Sequence, residues 1–144
     1  DYRWRPRRGR GTGNREGNRM SWVIVTGANG GIGAATVHEL IKNNYSVYAA
    51  DLVETPHESF AAYSDTTFRY SPVNVGDEES VRALVGAAAA VGEPIKGAVL
   101  AAGIAHSQPL LDTSFEDWKR LHAVNADGVF LCLREIARVM IEQA

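Results

Sequence analysis

The segment Val23-Ile24-Val25-Thr26-Gly27-Ala28-Asn29-Gly30-Gly31-Ile32-Gly33 runs an apolar strand straight into a glycine-rich turn, which opens a helix through Ala34, Ala35, Leu40 and Ile41. Strand, glycine turn and helix in that order form a cradle for a diphosphate. Gly27 permits the tight turn out of the strand, Gly31 lets backbone N–H groups approach the phosphates, and Gly33 lets the helix pack close to the sheet. Thr26, Asn29 and Ile32 complete the candidate set on this turn. The helix N-terminus adds a favourable dipole for an anion. The spacing T-G-x-x-x-G-x-G is one residue longer between its first two glycines than the G-x-G-x-x-G fingerprint. An ordinary strand–helix connection is the alternative, and the acid found downstream argues against it.

That acid is Asp51. Tyr45 to Ala50 reads as a second buried strand, with Asp51 at its C-terminal end and Leu52 just beyond. Asp51 lies about 20 residues past the glycine turn, where a carboxylate accepts hydrogen bonds from ribose hydroxyls of a dinucleotide. It would also repel a 2′-phosphate, and its neighbours Gly30 and Leu52 are not basic, so NAD is favoured over NADP. The competing reading has Asp51 starting a turn and capping the next segment.

The remainder alternates strand and helix, which implies a parallel sheet covered on both faces, a Rossmann-type doubly wound α/β fold. Helix one is expected over Gly31 to Asn43. A brief helix follows around His57 to Tyr63, and a third strand spans Thr67 to Val73. Asp77-Glu78-Glu79 opens a helix with the apolar stripe Val81, Leu84, Val85, Ala88 and Val91, ended by Gly92 and Pro94. A fourth strand is expected over Gly97 to Leu100, as a sheet edge with neither charge nor proline to block pairing. The last helix starts after Thr113 or Ser114 and carries Phe115, Trp118, Leu121 or His122, Asn125, Val129, Cys132, Ile136 and Met140 at three- and four-residue steps.

Composition narrows the class further. A length of 144 residues with 45% hydrophobic content suffices for one compact domain. No apolar run approaches the roughly 20 residues that span a bilayer, and no positively charged start leads into an apolar stretch, so export is not expected. Cys132 is the only cysteine, which excludes an internal disulfide, fits a reducing cytoplasm and reads as a small buried apolar group. His38, His57, His106 and His122 are scattered, so no metal is assigned.

The net charge of −2 hides an asymmetry. Residues 1–19 hold seven arginines against Asp1 and Glu16, a balance of +5, leaving 8 basic and 15 acidic residues, or −7, for 20–144. With Gly9, Gly11, Gly13 and Gly17 interleaved, this arm cannot bury a core and is expected to be disordered. One reading has its arginines on nucleic-acid phosphates, with Tyr2 and Trp4 stacking on bases. The favoured reading is upstream or fusion-derived sequence, because Met20 directly precedes the first strand.

From Met20 onward the chain resembles the N-terminal part of a short-chain dehydrogenase/reductase. Besides Thr26 to Gly33 and Asp51, Asn74-Val75 matches the Asp/Asn-Val pair that contacts the adenine. Ala101-Ala102-Gly103 matches the Asn-Ala-Gly signature, and Asn125 matches the family's helix asparagine. Ala101 departs from the family's Asn, which implies loss of a side-chain amide that braces the central strand. The alternative for Asn125 is an Asn that simply faces solvent or bonds a nearby carbonyl. The resemblance implies instead that Asn125 is buried, bends the helix and holds a water relaying protons to a catalytic Lys. The family's Ser and Tyr-x-x-x-Lys find no match, since no tyrosine has a lysine four residues on and the last tyrosine is Tyr70. The chain is therefore expected to carry the cofactor-binding half, with a sheet incomplete at its C-terminal side, and to be inactive by itself. The implied reaction is hydride transfer between the nicotinamide and a small secondary alcohol or ketone. His106 and Ser107 would line the substrate mouth or stand as ordinary loop residues. The last helix is implied to pack against another copy in a homo-oligomer. A non-catalytic NAD-binding module is the alternative function.

Overall fold

The computed structural model describes residues 21–144, so the basic arm and its readings lie outside the described residues. Among the described residues, four strands form one parallel sheet in the order β3-β2-β1-β4. They are β1 Trp22–Thr26, β2 Ser46–Asp51, β3 Phe68–Pro72 and β4 Ile95–Leu100. The helices are α1 Gly31–Lys42, α2 Glu78–Ala89, α3 Phe115–His122 and α4 Gly128–Glu142, with short 3-10 turns at Glu58–Phe60 and Leu110–Asp112.

All five residues of β1 are buried, and their alternation builds two cores. Trp22 and Ile24 point with Tyr48 and Ala50 toward α2 and α4, meeting Val81, Leu84, Val85, Ala88, Cys132 and Ile136. Val23 and Val25 point with Val47 and Ala49 to the other face, against Val37 of α1, Phe60 and Phe68. Helices on both faces and continuous apolar strands are the doubly wound α/β arrangement, and full burial of a side chain such as Ile24 contributes about 1.5–3 kcal/mol. Cys132 takes part in the first core at 1% exposure, and burial pushes its thiol up to about 11. No helix of the described residues is long and apolar enough to cross a membrane.

Both downstream caps fall where the acids and hydroxyls place them. Asp77 accepts from Ser80 N–H at the start of α2, and Ser114 Oγ accepts from Asp117 N–H at 3.0 Å at the start of α3. Helices α2 and α4 are further joined by charge: Glu78 pairs with Arg82 and Arg134, while Glu135 accepts from Arg134 at 2.9 Å and Arg138 at 3.2 Å.

Several expectations change. Strand β4 begins at Ile95 rather than Gly97, so the edge includes exposed Lys96 and follows Pro94, both of which discourage strand addition. The last helix is not continuous either. Ala123–Asp127 form a π-helical turn between α3 and α4, and Asn125 sits inside it. Asn125 is exposed rather than buried, and Phe115 and Trp118 also face outward. Of the expected stripe, Cys132 and Ile136 are the fully buried members.

Candidate functional site

The C-terminal ends of β1 and β4 diverge toward helices on opposite faces, and a cleft of about 410 Å³ opens there. Ligands in open α/β sheets bind at such a switch of strand order. The glycine turn forms the floor. Gly27 has φ 67°, and a Cβ there would lie 2.5 Å from Ala102 N, so the turn tolerates only glycine against the end of β4. A Cβ on Gly33 would lie 2.0 Å from Gly27 O, because the first turn of α1 packs directly onto the glycine turn. Gly31 differs: a Cβ there meets nothing within 4 Å, and its neighbour Ile32 is exposed. Helix α1 starts at Gly31 with no side-chain cap, so its first N–H groups face an open approach.

Thr26 serves as a brace rather than a cleft wall. It is buried, its carbonyl accepts from Ala101 N–H at 3.1 Å, and its Oγ1 accepts from Ala102 N–H at 3.4 Å. These bonds tie β1 to β4 next to Ala101.

Asp51 is half-buried and doubly held. Its Oδ2 accepts from Asn29 N–H at 2.9 Å and its Oδ1 from Leu52 N–H at 2.7 Å. The bond to Leu52 is the turn-starting role weighed from sequence, and a carboxylate has lone pairs left for further donors. Asn29 also ties down the following loop: Nδ2 donates to Thr55 O at 3.0 Å and Oδ1 accepts from His57 N–H at 2.9 Å. Tyr70 of β3 reaches the same loop, donating to Val53 O at 2.6 Å and accepting from Asn29 Nδ2 at 3.3 Å. Burial, then the negative charges of Asp51 and Glu54, raise the Tyr70 phenol above its ordinary value, so it remains a donor at neutral pH.

The opposite wall comprises Val73, Asn74, Val75, Ala101 to Ile104 and Val124. Asn74 Oδ1 accepts from Gly76 N–H at 3.1 Å, and its own N–H donates to Ser80 Oγ at 2.9 Å. Asn125 clasps the peptide of Ile104 from both sides, Oδ1 accepting from its N–H at 2.9 Å and Nδ2 donating to its carbonyl at 2.8 Å. Its role here is to hold the loop after β4, which is the carbonyl-bonding alternative, extended to both groups of one residue. His106 lies beyond the cleft's end, with Nε2 3.8 Å from Asp117 Oδ2, and Ser107 is exposed. The hydrogen bond from Ser114, together with His106 and Arg120, holds the Asp117 carboxyl below the usual range.

The residues singled out from sequence thus gather as follows. Gly27, Asn29, Asp51, Leu52, Asn74, Val75, Ala101, Ala102 and Gly103 border one cleft. Gly31, Ile32 and Gly33 form the start of α1 beside it, and Thr26 lies beneath. Val53, Ile104, Tyr70 and Gly128 escaped the sequence reading. A Cβ on Gly128 would come within 2.8 Å of Val75 Cγ2, so this glycine lets α4 press against the wall. A glycine just before the apolar run Val129 to Leu133 was a readable signal. Val53 and Tyr70 carried none, because their roles depend on loop shape.

Comparison with known proteins agrees with this geometry. A family model described as short chain dehydrogenase matches residues 21–144. A 2,5-dichloro-2,5-cyclohexadiene-1,4-diol dehydrogenase of Sphingobium indicum is 34% identical over 122 residues, which are 84% of this chain and 49% of that protein. A cis-4-hydroxycyclohexanecarboxylate dehydrogenase of Sinomonas cyclohexanicum is 35% identical, with 82% and 49% covered. The crystal structure of a short-chain dehydrogenase/reductase, glucose/ribitol dehydrogenase, from Brucella melitensis superposes with TM-score 0.76 at 27% identity, covering 85% of this chain and 53% of that one. The chain spans about half the length of the curated relatives it matches. By the matched family model, the relatives and the shared fold, it belongs to the short-chain dehydrogenase family of oxidoreductases.

Proposed function

We propose that the chain is the NAD-binding portion of an oxidoreductase that transfers hydride between the nicotinamide and a small secondary alcohol or ketone. The observation that carries the cofactor assignment is Asp51: a half-buried carboxylate, fixed by two peptide N–H groups, in a cleft that begins at the glycine turn and has no Lys or Arg among its lining residues. Such a site favours the free ribose hydroxyls of NAD and repels the 2′-phosphate of NADP. The uncapped start of α1 at Gly31 to Gly33 supplies N–H donors for the diphosphate. Leu52, Asn74 and Val75 are suited to flank the adenine, and Ala101 to Gly103 offer close backbone approach for the remainder. When bound, the nicotinamide supplies or accepts the hydride. The two relatives named above are dehydrogenases of compounds that bear a ring hydroxyl, which supports the alcohol class.

The exposed apolar face of α4, with Phe130, Leu133 and Ile141, supports contact between copies of the protein. The location of cofactor binding is tested by amide chemical shifts of the isotope-labelled chain during NAD titration. Shifts concentrated at Gly31 to Gly33, Asp51 to Val53 and Asn74-Val75 are expected, and shifts confined to other surfaces contradict the reading.

A further inference from the structure

The loop after β2 is held by a side chain that does not border the cleft. Tyr70 lies on β3, the outer strand of the sheet, half-buried against the Val47, Phe60 and Phe68 core. Its hydroxyl bridges two segments: it donates to Val53 O at 2.6 Å and accepts from Asn29 Nδ2 at 3.3 Å. Val53 directly follows Leu52, whose N–H holds Asp51 Oδ1, and Asn29 supplies the N–H that holds Asp51 Oδ2. One phenol therefore touches both segments that orient the carboxylate. The rest of the loop from Leu52 to Ser59 is exposed and adds no buried side chain to fix its position.

We infer that Tyr70 is a positioning residue for cofactor choice: by clasping Val53 and Asn29 it fixes the direction of the Asp51 carboxylate, and so sets how strongly the site prefers a free ribose 2′-hydroxyl over a 2′-phosphate. The inference rests on the proposed NAD reading and goes further by assigning part of that selectivity to a residue outside the cleft. Loss of the hydroxyl leaves Val53 O without its donor and leaves the loop to the Asn29 bonds at Thr55 and His57, which lie beyond Val53, so the segment next to Asp51 loosens and the carboxylate meets the ribose hydroxyls less well. A purely structural loosening would weaken both cofactors alike; loss of carboxylate direction weakens NAD while sparing NADP.

The test is calorimetric titration of NAD and NADP into the 144-residue chain, unmodified and as Tyr70→Phe, with circular dichroism to verify the fold. Tyr70→Leu, which keeps apolar contact but not the hydroxyl, is the second variant should Tyr70→Phe fold poorly. The expected result is a drop of about five-fold in the preference for NAD, the scale of one neutral hydrogen bond, with NADP affinity unchanged. An unchanged preference, or equal weakening of both cofactors, overturns the role of Tyr70 while leaving the NAD assignment standing. Absence of any NAD preference in the unmodified chain overturns the cofactor reading and this inference together.

Discussion

Asn29 and Asp51 are joined by a 2.9 Å hydrogen bond from backbone N–H to Oδ2, which links the glycine turn to the end of β2. The bond fixes the direction of the Asp51 carboxylate. On the proposed NAD reading, Asp51→Ala removes both an acceptor for the ribose hydroxyls and a charge that opposes a 2′-phosphate. NAD affinity is expected to fall by the worth of a charge-assisted hydrogen bond, about 1.5–3 kcal/mol, while NADP affinity rises or holds. Calorimetric titration of both cofactors checks this, and an unaltered NAD affinity would rule out a ribose contact.

Two glycines of one turn should respond in opposite ways. Gly33→Ala drives a Cβ into Gly27 O, with an unrelaxed separation of 2.0 Å, so it should destabilise the fold by about 1–3 kcal/mol, as overpacking does. Gly31→Val has open space and should leave the helical circular dichroism and melting temperature nearly intact while abolishing NAD binding, because the branched side chain occupies the diphosphate approach. A Gly31 variant that binds NAD normally would refute the phosphate role.

Acid sensitivity is expected from the α2–α4 charge cluster. Burial alone would raise the Glu135 carboxyl, but the hydrogen bond from Arg134 and the charges of Arg138, Arg134 and Arg82 outweigh it and hold the group below the usual carboxylate range. A depressed folded value means that its contribution is fully present above the unfolded value and is lost as pH falls through the folded one. Glu135→Gln should therefore melt lower at neutral pH, where it leaves three arginines poorly compensated, and should show a flatter stability profile across the acid range. Parallel pH profiles for the two proteins would remove Glu135 from the account.

Cys132 should be inert in the folded chain. Its burial and a thiol pushed up to about 11 leave almost no accessible thiolate at pH 8. Thiol titration with an aromatic disulfide reagent should read close to zero before denaturation and one equivalent after it, since the chain has a single cysteine. Rapid native labelling would show that α4 opens readily.

The apolar face of α4 predicts self-association. Phe130, Leu133 and Ile141 are 59%, 56% and 74% exposed and share one side of the helix. Sedimentation at micromolar concentration should show dimers or larger species, and Leu133→Asp should shift the distribution toward monomer. A monodisperse monomer for the unmodified chain would contradict this.

The sheet and its ligand-facing end were legible because β1, the glycine turn and Asp51 obey local rules: continuous apolar residues for a strand buried on both faces, and glycine where φ is 67° or packing leaves no room for a Cβ. The caps Asp77 and Ser114 were legible for the same reason, as each satisfies donors within its own first turn. The break at Ala123–Asp127 was not, because it follows from the Asn125 clasp on Ile104 and from α4 pressing on Val75, both contacts between segments distant in sequence. The Tyr70 clasp on Val53 is non-local as well: Tyr70 has the composition of any half-buried strand residue, and the shape of the exposed loop gives it its partner. The early start of β4 reflects pairing of Ile95 with Trp22, with exposed Lys96 left without a register partner where the pairing shifts between Trp22 and Val23.

Whether the cleft selects NAD through Asp51 is tested most directly by the dissociation constants of NAD and NADP for the unmodified 144-residue chain, measured side by side at one ionic strength. Tighter binding of NAD is expected, by at least about ten-fold for a carboxylate facing a 2′-phosphate without a basic partner. Equal affinity, or tighter binding of NADP, would contradict it.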